Sequence, residues 1–164
     1  MVCAWKLFGA WCLGFDIFFM IIRICNGEES RMIGLVVICH EDMGVELVKA
    51  AEMIVGKIEA VATVSVKQES APEMLRNEIQ SAIKKVDRKK GVMLFTDMFG
   101  GTPSNIALAF LGETVEVVTG VNLSMLIKFA NHRDEKTLPE LAKVVQEAAQ
   151  KSIVIASQML KGKK

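Results

Sequence analysis

From residue 32 onward the chain switches repeatedly between two hydrophobic periods. Residues 33–38 form a nearly unbroken apolar run rich in β-branched side chains, the pattern of a strand covered on both faces. A polar turn, Cys39-His40-Glu41-Asp42-Met43, leads into helical spacing over about 44–55, with Val45, Val48, Ala51 and Val55 on one stripe and Gly56 as the stop. A second strand is expected over 58–66. Ser70 is expected to cap the next helix, with Pro72 in its first turn and Leu75, Ile79, Ala82, Ile83 and Val86 recurring at helical spacing. The charge run Asp87-Arg88-Lys89-Lys90 reads as a solvated turn rather than a nucleic-acid patch. Residues 91–96 give a third, buried strand, and a helix over 102–111 should open with Thr102 as its N-cap hydroxyl and Pro103 at its first position. A fourth strand spans 115–119, and Gly120-Val121-Asn122 turns the chain into a helix through about residue 130. Beyond the polar link His132-Arg133-Asp134-Glu135, a last helix over 138–149 and a short terminal strand over 153–156 are expected. Strands alternating with helices imply parallel pairing through right-handed crossovers, hence an open, mostly parallel α/β sheet with helices on both faces.

Two of the strands end in chemistry, the first at His40 and the third at Asp97. Ligands of open α/β sheets bind outside the carboxyl ends of strands, where neighbouring connections leave to opposite faces. If the two strands are adjacent, His40 and Asp97 face one crevice. Asp97 then accepts the proton of one ring nitrogen, fixes the tautomer, and leaves the other nitrogen with a free lone pair at neutral pH. Between Asp97 and the helix lies Gly100-Gly101, where the main chain can be approached closely. Amides and a hydroxyl at the start of that helix suit an anion. His132 lacks such company, and beside Arg133 it reads as exposed. Cys39 and His40 are adjacent and point apart in extended chain, which argues against a nucleophilic dyad. Cys39, His40 and Asp97 lack zinc-motif spacing, so no metal is expected.

Composition changes the picture at the start of the chain. The 164 residues fit one domain, and 20 basic against 19 acidic residues leave an overall charge that calls for neither nucleic acid nor an anionic membrane. Yet three of the four cysteines, both tryptophans and half the phenylalanines precede Asn26. The apolar run over 7–24 is a poor signal peptide, with one Lys6 before it and Asp16 inside it. As a membrane anchor it is slightly short of the ~20 apolar residues a bilayer requires. Back-translated, Gly27-Glu28-Glu29 gives a purine-rich stretch of the kind that recruits bacterial ribosomes, a short spacer ahead of Met32. The expected organisation is therefore an apolar extension over 1–31 that results from a misassigned start, translation beginning at Met32, and a domain over 32–164. Cys39 alone then fits a reducing cytoplasm without disulfides.

His40 after a first strand, the run Asp97-Met98-Phe99-Gly100-Gly101-Thr102-Pro103-Ser104-Asn105, and Gly120-Val121-Asn122-Leu123-Ser124-Met125-Leu126 together resemble the enzyme IIA component of the mannose family of the bacterial phosphoenolpyruvate-dependent sugar phosphotransferase system. The resemblance covers about residues 32–158. It implies a phosphocarrier, counted as a phosphotransferase, that takes a phosphoryl group from phospho-HPr on His40 and passes it to a IIB component for sugar uptake. Asp97 would orient His40, and Gly100, Gly101 and Thr102 would surround the phosphoryl oxygens; no cofactor is implied. It also implies a cytoplasmic homodimer, indirectly associated with the membrane components IIC and IID. Its last strand would be antiparallel and exchanged between subunits, here over 152–158. The family usually carries a small hydroxyl residue and a glycine on either side of the histidine, where this chain has Cys39 and Glu41. The alternative function is a regulatory module whose partner senses the phosphorylation state of His40.

Overall fold

The computed structural model describes residues 31–161, so the readings made on residues 1–30 lie outside the described residues. Four strands, β1 (Gly34–His40), β2 (Val61–Val66), β3 (Val92–Thr96) and β4 (Val115–Thr119), form one sheet in the order β2-β1-β3-β4. All three pairings are parallel. The helices are α1 (Met43–Val55), α2 (Pro72–Val86), α3 (Thr102–Leu108), α4 (Leu123–His132), α5 (Leu138–Ser152) and α6 (Ala156–Lys161).

The period-2 alternation of the central strands sorts the core into two layers. Leu35, Val37, Met93 and Phe95 pack with α1, α4 and α5 on one face, where the Phe95 and Phe129 rings meet edge to face at 5.9 Å. Val36, Ile38, Val92 and Leu94 pack with α2 and α3 on the other. β1 and β3 are buried on both faces, which is why each reads as a continuous apolar run. Gly34 is required by contact: a Cβ there would lie 2.4 Å from the Val86 carbonyl oxygen at the end of α2. The open parallel sheet with helices on both faces is thus as the sequence predicts.

Several local expectations are corrected. β2 begins at Val61, because Ile58 N–H donates to the Glu52 side chain and Ala60 adopts φ +49°, which interrupts extended backbone. Ser70 does not cap α2; its hydroxyl accepts from Lys67 N–H, and Ala71 stands at the cap. α5 runs three residues beyond 149, and no strand follows it among the described residues. Residues 153–155 are exposed and reach no sheet edge, and 156–161 turn into α6, so the expected C-terminal antiparallel strand is not found among the described residues. β-branched residues alone do not make a strand when there is no neighbour to pair with. No helix among the described residues is long and apolar enough to cross a membrane.

Candidate functional site

The connection from β1 runs through α1 over one face, and that from β3 runs through α3 over the other. Strand order therefore reverses between β1 and β3, and a crevice opens at their carboxyl ends. His40 is the last residue of β1, and Asp97 follows β3 directly. The two meet there: His40 Nδ1 lies 2.7 Å from Asp97 Oδ2, and His40 N–H donates to the same oxygen at 2.9 Å. The other carboxylate oxygen, Oδ1, accepts from Met98 N–H at 2.8 Å. Burial pushes the Asp97 carboxyl up, but the His40 amide, the His40 ring and the Met98 amide outweigh it and hold the group below its ordinary value. An ionised Asp97 accepts a hydrogen bond from Nδ1–H, so His40 presents Nε2 as a lone pair. The Asp97 side chain is 9% exposed and that of His40 49%, an arrangement in which a sheltered carboxylate holds a ring open to solvent.

The loop behind the ring is shaped by two glycines. Gly100 adopts φ +89°, a left-handed conformation that favours glycine. At Gly101 a Cβ would stand 3.4 Å from His40 Cε1, so the loop main chain lies against the imidazole. The sequence expectation for Thr102 is corrected: Gly101 is the N-cap of α3, and Thr102 is its first residue, exposed and free of a capping bond. The hydroxyl that organises the turn belongs instead to Ser104, which is buried, accepts from Gly100 N–H at 2.9 Å and donates to the Gly101 carbonyl at 3.0 Å. Gly100 thus shapes the loop with its amide already committed. Among the described residues, the Gly101 and Thr102 amides donate to no protein acceptor. Ser104 carries a role that the spacing alone did not assign, although its position three residues after Gly101 is the one from which a side chain can close a helix start.

The segment 120–126 completes the crevice. The Gly120 and Val121 amides both donate to the Thr96 carbonyl at 2.9 Å, fixing the β4 exit beside Asp97, and Asn122 Oδ1 caps α4 through Met125 N–H. Cys39 is fully buried, its sulfur facing α1 at Gly44, and burial with the Asp97 charge pushes its thiol up to about 12. It is a core residue and takes no part in the site. Glu41 turns the chain away from β1 with φ +47°, and its N–H donates to the Val66 carbonyl. Met98 and Phe99 stand exposed on the rim. His132 stands half-buried rather than exposed at the last residue of α4, the end of that helix remote from the crevice, where Ile33 N–H donates to the neighbouring Arg133 carbonyl. Among the described residues no three His, Cys, Asp or Glu side chains converge to hold a metal ion.

Residues 34–146 match the family described as the PTS system fructose IIA component. The chain is 27% identical over 131 residues to the fructose-specific EIIA component of Bacillus subtilis, which covers 79% of this chain and 90% of that protein. It is 30% identical over 124 residues to the mannose-specific EIIAB component of Escherichia coli, covering 74% of this chain and 38% of that longer protein. Among solved structures, the PTS IIA protein associated with the fucose utilization operon of Streptococcus pneumoniae superposes with a TM-score of 0.71 at 26% identity, covering 80% of this chain and 98% of that one. The mannose/sorbose-specific IIA subunit of Enterococcus faecalis gives 0.69 at 26% identity, covering 76% and 94%.

Proposed function

We propose that this chain, which belongs to the mannose-family IIA components of the bacterial sugar phosphotransferase system, carries a phosphoryl group on Nε2 of His40 between HPr and a IIB component. The family serves phosphoryl transfer in sugar uptake. The observation that carries the residue-level reading is the 2.7 Å contact between His40 Nδ1 and Asp97 Oδ2, which leaves Nε2 as the free nucleophile.

In the step proposed, the Nε2 lone pair attacks phosphorus, the new N–P bond forms as the donor's N–P bond breaks, and the departing imidazole keeps the electron pair. Positive charge develops on the His40 ring, and Asp97 stabilises it through the Nδ1 proton. The phosphoryl oxygens are met by the unpaired amides of Gly101 and Thr102 and by the Thr102 hydroxyl, while Gly100 and Ser104 hold the loop in shape. Passing the group to the IIB component reverses these roles. The protein works in the cytoplasm as a homodimer, reaches the membrane components IIC and IID only through IIB, and forms no strand over 152–158 until a second subunit supplies an edge.

Incubation with enzyme I, HPr and phosphoenolpyruvate followed by intact mass tests the reading. One added phosphoryl group, labile in acid and lost in His40→Ala, is expected. Acid-stable label, or label retained in His40→Ala, sinks it.

A further inference from the structure

The near-zero overall charge conceals a separation along the strand axis. Around the crevice, the turns and first helical turns carry Glu41, Asp42, Glu46, Glu69, Glu73 and Asp97 against Lys67 and Lys49, the latter paired with Glu46. The opposite end, where the strands begin, is knit together by main-chain contacts that fix its members in one surface. Gly34 N–H donates to the Gly91 carbonyl, Val92 N–H to the Thr114 carbonyl, Lys90 Nζ to the Asp134 carbonyl, and the Arg133 guanidinium to the Glu59 carbonyl. Lys57 and Lys85 line one hollow beside the β2 edge.

On this end stand Lys57, Lys84, Lys85, Arg88, Lys89 and Lys90, and none of the six pairs with a carboxylate among the described residues. Asp87 is turned inward on its own loop, accepting from Lys89 N–H, and Glu52, Glu59, Glu113, Asp134 and Glu135 offset part of the charge, leaving the run from Lys84 to Lys90 as the most basic stretch of this end. Arg31, where the described chain begins, lies at the same end.

We propose that this basic end is a docking surface for anionic phospholipid. A dense cluster of cations gains attraction from each charge it brings within a Debye length of an anionic bilayer. A nucleic-acid groove fits less well: the sole exposed aromatic ring among the described residues is Phe99, at the far end beside His40, and Phe110 is half-buried with Arg76 over its ring, so this end offers no open aromatic platform for bases. An anionic surface is also what a protein of sugar uptake meets at its working place. Docked this way, the domain turns His40 away from the bilayer, open to carriers arriving from solution. The proposal rests on the charge placement and stands whether or not His40 is the phosphoryl acceptor.

The test is sedimentation of the full chain with vesicles of phosphatidylcholine alone or mixed with phosphatidylglycerol, beside the triple variant Lys84→Glu/Lys85→Glu/Lys89→Glu. Binding to the mixed vesicles that weakens with added salt is expected, with a loss of at least about tenfold in the variant, since each lysine removed costs several-fold in partitioning. The variant should keep its thermal midpoint and its rate of phosphoryl acceptance. Equal binding to neutral vesicles, unchanged binding by the variant, or no binding at all overturns the proposal. So does binding to RNA as tight as to the mixed vesicles. If the variant misfolds, Lys84→Gln/Lys85→Gln/Lys89→Gln takes its place with a smaller expected loss.

Discussion

The two histidines of this chain share a side chain and little else. His40 ends a strand in the crevice where the sheet reverses, with Asp97 Oδ2 holding both its ring and its backbone while Oδ1 accepts from Met98 N–H. His132 ends a helix with no side-chain hydrogen bond among the described residues, and its main-chain carbonyl serves the following turn. Reactivity is thus assigned by neighbours brought from 57 residues away, and not by residue type.

The sharpest way to break the comparison is to exchange the two losses. His40→Ala should abolish phosphoryl acceptance while His132→Ala leaves it within about twofold, because His132 lies at the far end of α4 and makes no side-chain hydrogen bond among the described residues; single-turnover mass spectrometry reads both. Asp97→Asn comes next. An amide can hold the ring but cannot stabilise the developing imidazolium, so acceptance should slow by on the order of 10²-fold with the fold intact. The same variant carries a pH signature. The depressed Asp97 carboxyl adds stability above its unfolded value of about 4, and that gain is lost as pH falls through the folded value. The gap in thermal midpoint between wild type and Asp97→Asn should therefore narrow below about pH 4; a constant gap removes Asp97 ionisation from the account.

Smaller effects probe the loop. Ser104→Ala leaves the Gly100 amide without its acceptor, and should cost about 1–3 kcal/mol of stability and slow acceptance more than any change in α4. Denaturant midpoints and transfer rates measured together separate a loosened loop from a merely destabilised domain. Glu41→Gly runs the other way. It relieves a left-handed residue, worth about 1 kcal/mol, and removes a negative charge next to His40, so acceptance should rise a few-fold at low salt and less at high salt. No salt dependence would mean that the Glu41 charge is too far from the phosphoryl group to matter.

Much of this was legible in the sequence because β1 and β3 are covered on both faces, and continuous apolar runs are unambiguous when turn residues bound them. Their adjacency followed from topology, and adjacency brought His40 to Asp97. What stayed hidden depended on local competition or distant partners. Ser70 and Thr102 are good capping residues, but in both places the N-cap falls one residue away, on Ala71 and Gly101, and Ser104 does the work at α3. Arg133 reads as part of a polar link, yet it is buried over the Phe129 ring and reaches the Glu59 carbonyl 74 residues away, a partner that no local pattern reveals. Residues 153–155 look like a strand because sequence reports preference and not the presence of an edge.

The strand order also has a consequence for how the protein is made. β1 is synthesised first but lies in the middle, between β2 and β3, so its second flank stays bare until Thr96 has left the ribosome. At the usual pace of translation that wait lasts roughly 3–11 s. Nascent chains arrested before Val92 should therefore be cut readily by protease and held by chaperones, and chains arrested well past Thr119 should resist. A ribosome stalled between the two halves of the crevice would carry His40 without Asp97, so the contact on which the proposed phosphoryl transfer depends forms only when the third strand docks.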